Sequence, residues 1–247
     1  MEPMRTALIA SILAALGTGL GGVVLAFFPR MSRGVYDTLL GFSAGVMLAA
    51  GSITLLGPAL QKNGVVSVTA GLLSGAMLVF LLERFVPHLE PHFAPELSGP
   101  EKRLGILLGS AITLHHIPEG LAVGVAFAAG EPSLGVIVAV AVALQNVPEG
   151  LAIAVPLRAA GFSRLRAATW ALLSGIGQPI AAALGVGFVA IVGPMVPFAL
   201  SVAAGAMIFV ASDQIIPESR TRPDAKAPSL GLIAGFVLVA VLTKLFS

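Results

Sequence analysis

Stretches of about twenty apolar residues follow one another along the whole chain, separated by short polar breaks that hold most of the charges. Each stretch is long enough to cross a bilayer as a helix. Eight spans fit the pattern, near 6–28, 36–58, 64–86, 104–129, 133–157, 167–192, 196–217 and 229–246. The first is too long for a signal-peptide core and lacks a convincing cleavage site, so it reads as a retained span. Most connections are too short to fold separately. The longest, 87–103, carries His88, Glu90, His92, Glu96 and several prolines, and reads as a solvated cytoplasmic loop. The expected architecture is an all-α polytopic membrane protein with a single transmembrane domain over 1–247.

Composition agrees with this class. Hydrophobic residues make up 57% of the 247 positions and charged residues only 11%, against about 25% charged in a soluble domain. The lipid bilayer is therefore the chain's main partner. A net charge of +2 gives no reason to expect nucleic acid as another. The absence of cysteine excludes disulfides and thiolate metal sites.

Basic residues set the orientation. Eleven of the fourteen lysines and arginines fall in the connections after spans 1, 3, 5 and 7 or at the helix end leading into them, and only Arg5, Lys62 and Lys244 fall on the other side. The positive-inside rule then places both termini outside the cytoplasm, in keeping with an even number of spans.

Spans 2 and 7 share a pattern. The first reads Ala44, Gly45, Val46, Met47, with Ser52 five residues on; the second reads Ala204, Gly205, Ala206, Met207, with Ser212 at the same offset. The two spans run in opposite directions. This points to an inverted repeat of helices 1–3 and 6–8 around a central pair, helices 4 and 5, a recurrent plan of secondary transporters. Small-residue packing motifs, common in membrane helices, offer a plainer reading.

The central pair carries the unusual chemistry. HHIPEG over 115–120 is answered thirty positions later by QNVPEG over 145–150. Carboxylates and imidazoles are costly inside a bilayer and mark function there. Residues four apart share a helix face, so His115 lies above Glu119 and Gln145 above Glu149. Pro118 and Pro148 lack an amide hydrogen and free the carbonyls of Leu114 and Leu144, which are tolerated at depth where they line a cavity or meet an ion. Two carboxylates with imidazole and amide groups form a candidate site for a divalent metal.

These motifs resemble those of the ZIP (Zrt/Irt-like) divalent metal transporters, in their bacterial GufA-type branch. The fourth and fifth helices of that family carry His-Asn-x-Pro-Glu-Gly-type sequences. The likeness extends to ERFVPH over 83–88, to the Ala44–Met47 stretch, and to DQIIPE over 213–218. It implies eight spans with outward termini, a homodimer in the prokaryotic inner membrane, and elevator-like movement of the metal-bearing helices. It also implies a primary metal site of His115, Glu119, Gln145 and Glu149. His116 and Asn146 match positions of a second, adjacent site bridged by the two glutamates.

Three positions depart from the family pattern. His116 replaces the usual Asn, Asn146 stands where bacterial relatives often have Asp, and Gln178 replaces the Glu of a Ser-Gly-x-x-Glu-Pro motif. Glu119 and Glu149 thus supply two negative charges, which balance one divalent ion. A second ion would leave buried charge unneutralised. The expectation is a mainly mononuclear site.

Imidazole, carboxylate and amide oxygen without sulfur suit Zn²⁺, and also Cd²⁺, Fe²⁺, Mn²⁺ or Co²⁺. The resemblance makes Zn²⁺ the expected transported substrate. Met47 either lines the route or fills the core. Asp213 and Glu218 either pass metal along or cap and solubilise a helix end. Two other classes stay open at this point. One is an intramembrane zinc metalloenzyme, although no His-Glu-x-x-His is present. The other is a proton-coupled transporter of a non-metal solute that uses the paired glutamates.

Overall fold

Apolar segments with polar residues on no consistent face must satisfy every backbone group internally, and in lipid a helix does this within one segment. The computed structural model describes residues 2–27, 31–62, 64–93, 100–220 and 226–246, with side chains described outside 85–113 and a few isolated positions. Every regular element among the described residues is helical.

In chain order these are α1 (Glu2–Phe27), α2 (Arg33–Ala49), α3 (Leu56–Lys62), α4 (Val65–Phe93), α5 (Pro100–Ala128) and α6 (Pro132–Ala159). They continue as α7 (Arg164–Ser174), α8 (Gly177–Val192), α9 (Val196–Val210), α10 (Ile216–Ser219) and α11 (Ala227–Phe246). Ser32 and Ser163 cap α2 and α7 by accepting from the backbone N–H groups of Val35 and Arg166. Among the described residues, seven segments are long and apolar enough to cross a membrane. The protein is a polytopic, all-helical membrane protein.

Helix extends well into the region read as a loop from sequence. α4 continues to Phe93 and α5 starts at Pro100. Glu96 lies outside the described residues, and the side chains of His88, Glu90 and His92 fall within the undescribed stretch.

Two spans change winding midway. A π-helical turn over Ala50–Leu55 joins α2 to α3, and a second over Ala211–Ile215 joins α9 to α10. Pro58 and Pro217 follow closely; neither can donate to the ladder, which widens just ahead of each. Span Arg164–Val192 breaks instead at Gly175 and Ile176, between α7 and α8.

Packing follows the small residues. α1 lies along α6, α5 along α8, α2 along α11 and α4 along α9. Glycines set these close approaches. A side-chain carbon at Gly45 would overlap the Leu232 carbonyl, and one at Gly205 would overlap that of Leu72. Gly120 lies against the Gln178 backbone in the same way, and Gly150 against that of Thr18. α5 and α6 also pack on each other, and α6 meets α2 on another side. The two copies of the Pro-Glu-Gly motif therefore face one another in the interior.

Candidate metal site

α5 and α6 pass through Pro118 and Pro148 without ending. Glu119, His116, Gln145, Asn146 and Gln178 are wholly buried, and Glu149 is 3% exposed. Buried ionisable groups of this kind need partners, and Glu119 has three. Gln145 Nε2 donates to Glu119 Oε1 at 2.6 Å, His116 Nδ1 lies 2.8 Å from Oε2, and Gln178 Nε2 donates to the same Oε2.

Gln178 reaches the site because the span breaks just before it. Its backbone N–H donates to the Gly175 carbonyl at 3.0 Å, which places the side chain on the first turn of α8. Pro179 follows in that turn, where a missing N–H costs little. Asn146 Nδ2 donates to Gln178 Oε1 at 3.0 Å and to the Ala14 carbonyl of α1 at 2.7 Å. Gln178 Nε2 returns a bond to Asn146 Oδ1 at 3.2 Å.

The tautomer of His116 follows from the charge on Glu119. An ionised Glu119 only accepts, so a neutral His116 donates from Nδ1 and keeps its lone pair on Nε2. The 3.2 Å approach of Gln178 Nε2 to Nδ1 is then a contact between two donors that both serve Glu119. Nε2 itself is buried and makes no hydrogen bond; neither do Gln145 Oε1 and Glu149 Oε2. All three are acceptors. Buried acceptors left unpaired together suit a cation.

A nitrogen of His116 and one oxygen each from Glu119 and Glu149 lie within 4.8 Å of one another. His115 is only partly buried and is not in this group. The contact predicted between His115 and Glu119, four residues apart, is made instead by His116, three residues before the glutamate. Both spacings share a face, and sequence alone does not choose between them.

The other candidates make no described hydrogen bond to these residues. Met47 is fully buried in α2. Asp213 is exposed in the second π-turn, beside Gln214, whose amide donates to Glu83 of α4. Glu218 accepts from Tyr36 Oη at 3.2 Å, which ties α10 to α2. Sequence reasoning missed Ser43. Its hydroxyl donates to Glu149 Oε1 at 2.6 Å from α2. A single serine among small residues gives no periodic signal, and only the packing of α2 on α6 reveals it.

A model of the ZIP zinc transporter family matches residues 95–243 of this chain, more than half its length. The chain belongs to the ZIP family. It is 37% identical to the zinc transporter GufA of Myxococcus xanthus over 249 residues, covering 97% of this chain and 98% of that one. It is 36% identical to the zinc transporter ZIPB of Bordetella bronchiseptica, over 91% of this chain and 76% of the relative. Identity to the human zinc transporter ZIP11 is 31%, over 91% and 92%. Membership makes this ZIP protein a transporter and not an enzyme, which removes the metalloenzyme reading.

Proposed function

We propose that this ZIP protein carries a divalent transition metal, Zn²⁺ above all, into the cytoplasm by alternating access, and that it holds one ion at a time between α5 and α6. The observation that carries the site is the buried group of His116, Glu119 and Glu149, with ligand atoms within 4.8 Å of one another. Its unpartnered acceptors, His116 Nε2, Glu149 Oε2 and Gln145 Oε1, add to that support. His115 completes the candidate ligands and lies one residue from the group. Cd²⁺, Fe²⁺, Mn²⁺ and Co²⁺ fit the same donor types.

The mononuclear reading rests on charge. Glu119 and Glu149 balance one divalent ion, and Asn146 and Gln178 bring no further charge. Both amides are already paired with each other.

α5, whose 29 residues carry the first motif copy, is the eighth span in this reading. The inverted repeat of helices 1–3 and 6–8 draws support from matched details. Gly45 and Gly205 both press on a neighbour's carbonyl, and a π-turn follows each. The pairing of α2 with α11 mirrors that of α9 with α4, and α1 with α6 mirrors α8 with α5. Such repeats alternate access by moving one helix group against another. An elevator-like shift of the metal-bearing helices, a homodimer, the prokaryotic inner membrane and outward termini complete the reading. Asp213, Glu218 and Met47 are candidates for the route to and from the ion.

The test is Zn²⁺ uptake into proteoliposomes. Glu119→Ala should bring uptake to the level of protein-free vesicles. Because it also strips three donors of their acceptor, at about 1–3 kcal/mol for each group left unpaired, Glu119→Gln serves as the milder second variant. Uptake at the wild-type rate in the folded glutamine variant would refute the assignment.

A further inference from the structure

Five helical serines of this chain turn back on their own ladder. Ser11, Ser52, Ser174, Ser201 and Ser219 each donate to a carbonyl three or four residues earlier. That bond is available to any serine inside a helix. Ser43 gives its proton elsewhere. The hydroxyl crosses from α2 to α6 and donates to Glu149 Oε1 at 2.6 Å, with Ser43 fully buried and Glu149 nearly so. A hydrogen bond to a carboxylate is roughly twice as strong as one to a neutral carbonyl, which accounts for the choice.

The consequence falls on the two oxygens of Glu149. Oε1 is engaged by Ser43, while Oε2 is buried and makes no hydrogen bond. A carboxylate held in this way presents the free Oε2 to an ion ahead of Oε1, one of whose lone pairs is already taken. We infer that Ser43 is a positioning residue that holds Glu149 to one-oxygen coordination and so sets the ion preference of the site. This rests on the metal-transport reading given above.

The chemistry gives the direction. Zn²⁺ is satisfied by four ligands at about 2.0–2.2 Å for oxygen and nitrogen, with a carboxylate contributing one atom. Larger ions accept more donors and take carboxylates through both oxygens. Cd²⁺ is the larger ion of matching charge and ligand taste. Releasing Oε1 favours it over Zn²⁺.

The experiment is uptake of Zn²⁺ and Cd²⁺, each alone, by proteoliposomes of wild type, Ser43→Ala and Ser43→Thr, with monodisperse elution as the check on folding. In Ser43→Ala the KM for Zn²⁺ should rise about tenfold, the scale of one charge-assisted hydrogen bond, while that for Cd²⁺ stays level or falls. Ser43→Thr keeps the hydroxyl and should keep the wild-type ratio of kcat/KM between the two ions, even if its methyl group slows both. Equal losses for both ions in the alanine variant would mean a packing role and overturn the inference. So would an unchanged ratio, or a threonine variant with alanine's ratio. The site reading fails separately, if wild type carries neither ion or Glu119→Gln leaves uptake intact.

Discussion

Asn146 of α6 and Gln178 of α8 hydrogen-bond to each other through both side-chain amides, at 3.0 and 3.2 Å. Neither amide adds charge beside Glu119 and Glu149. Purified protein should therefore bind about one Zn²⁺ per protomer, measured by metal analysis after equilibrium dialysis. Asn146→Asp combined with Gln178→Glu adds two carboxylates and should raise the figure towards two. A wild-type value near two would sink the mononuclear assignment.

Which histidine supplies the nitrogen is a second question with a measurable answer. His116 lies 2.8 Å from Glu119 and keeps Nε2 unpaired, whereas His115 stands outside the group. His116→Ala should weaken Zn²⁺ binding by tenfold or more, on the order of the loss seen when even an outer partner of a metal ligand is removed. His115→Ala should cost less. Competition with a chromophoric chelator reads both, and the opposite ranking would return the nitrogen to His115.

Much of this was legible in the sequence because lipid imposes simple rules. Apolar run length announces helices, and a glutamate within such a run announces function. The repeated Pro-Glu-Gly motif thus pointed to Glu119, Glu149, Gln145 and Asn146 before any packing was known, and the likeness of one motif pointed to Gln178. Three features were not legible. Both histidines lie within reach of Glu119 on one helix, and only the packing of α5 against its neighbours brings His116 into the group. Ser43 is visible only once α2 meets α6. The π-turns at Ala50–Leu55 and Ala211–Ile215 arise from local hydrogen-bond geometry that hydropathy does not encode.

Metal binding should also be visible as stability. An ion that binds only the folded state adds about 2.7 kcal/mol when present at a hundred times its Kd. For a chain of this size that is roughly 5–10 °C in Tm. Zn²⁺ should shift the melting of wild-type protein in detergent by this order, and Glu119→Gln should show little of the shift. An equal shift in both proteins would place the stabilising ion elsewhere.

The glycines give a prediction about the frame around the site. A Cβ at Gly45 would run into the backbone carbonyl of Leu232 in α11, and one at Gly205 into that of Leu72 in α4. Backbone cannot swing aside as a side chain can, so α11 or α4 has to move bodily. Overpacking of this kind costs about 3 kcal/mol, near the top of the usual range, or roughly 6–12 °C in Tm. Gly45→Ala and Gly205→Ala should therefore destabilise by similar amounts, because a Cβ at either position meets a neighbour's backbone carbonyl about equally closely, as the proposed inverted repeat requires. Gly57 is the control: nothing lies within 4 Å of a Cβ placed there. Gly57→Ala in α3 should be neutral or stabilising by up to about 1 kcal/mol, since alanine restricts the unfolded chain and suits a helix. Thermal unfolding followed by size-exclusion chromatography measures all three. A large loss at Gly45 with none at Gly205 would break the equivalence on which the inverted repeat rests.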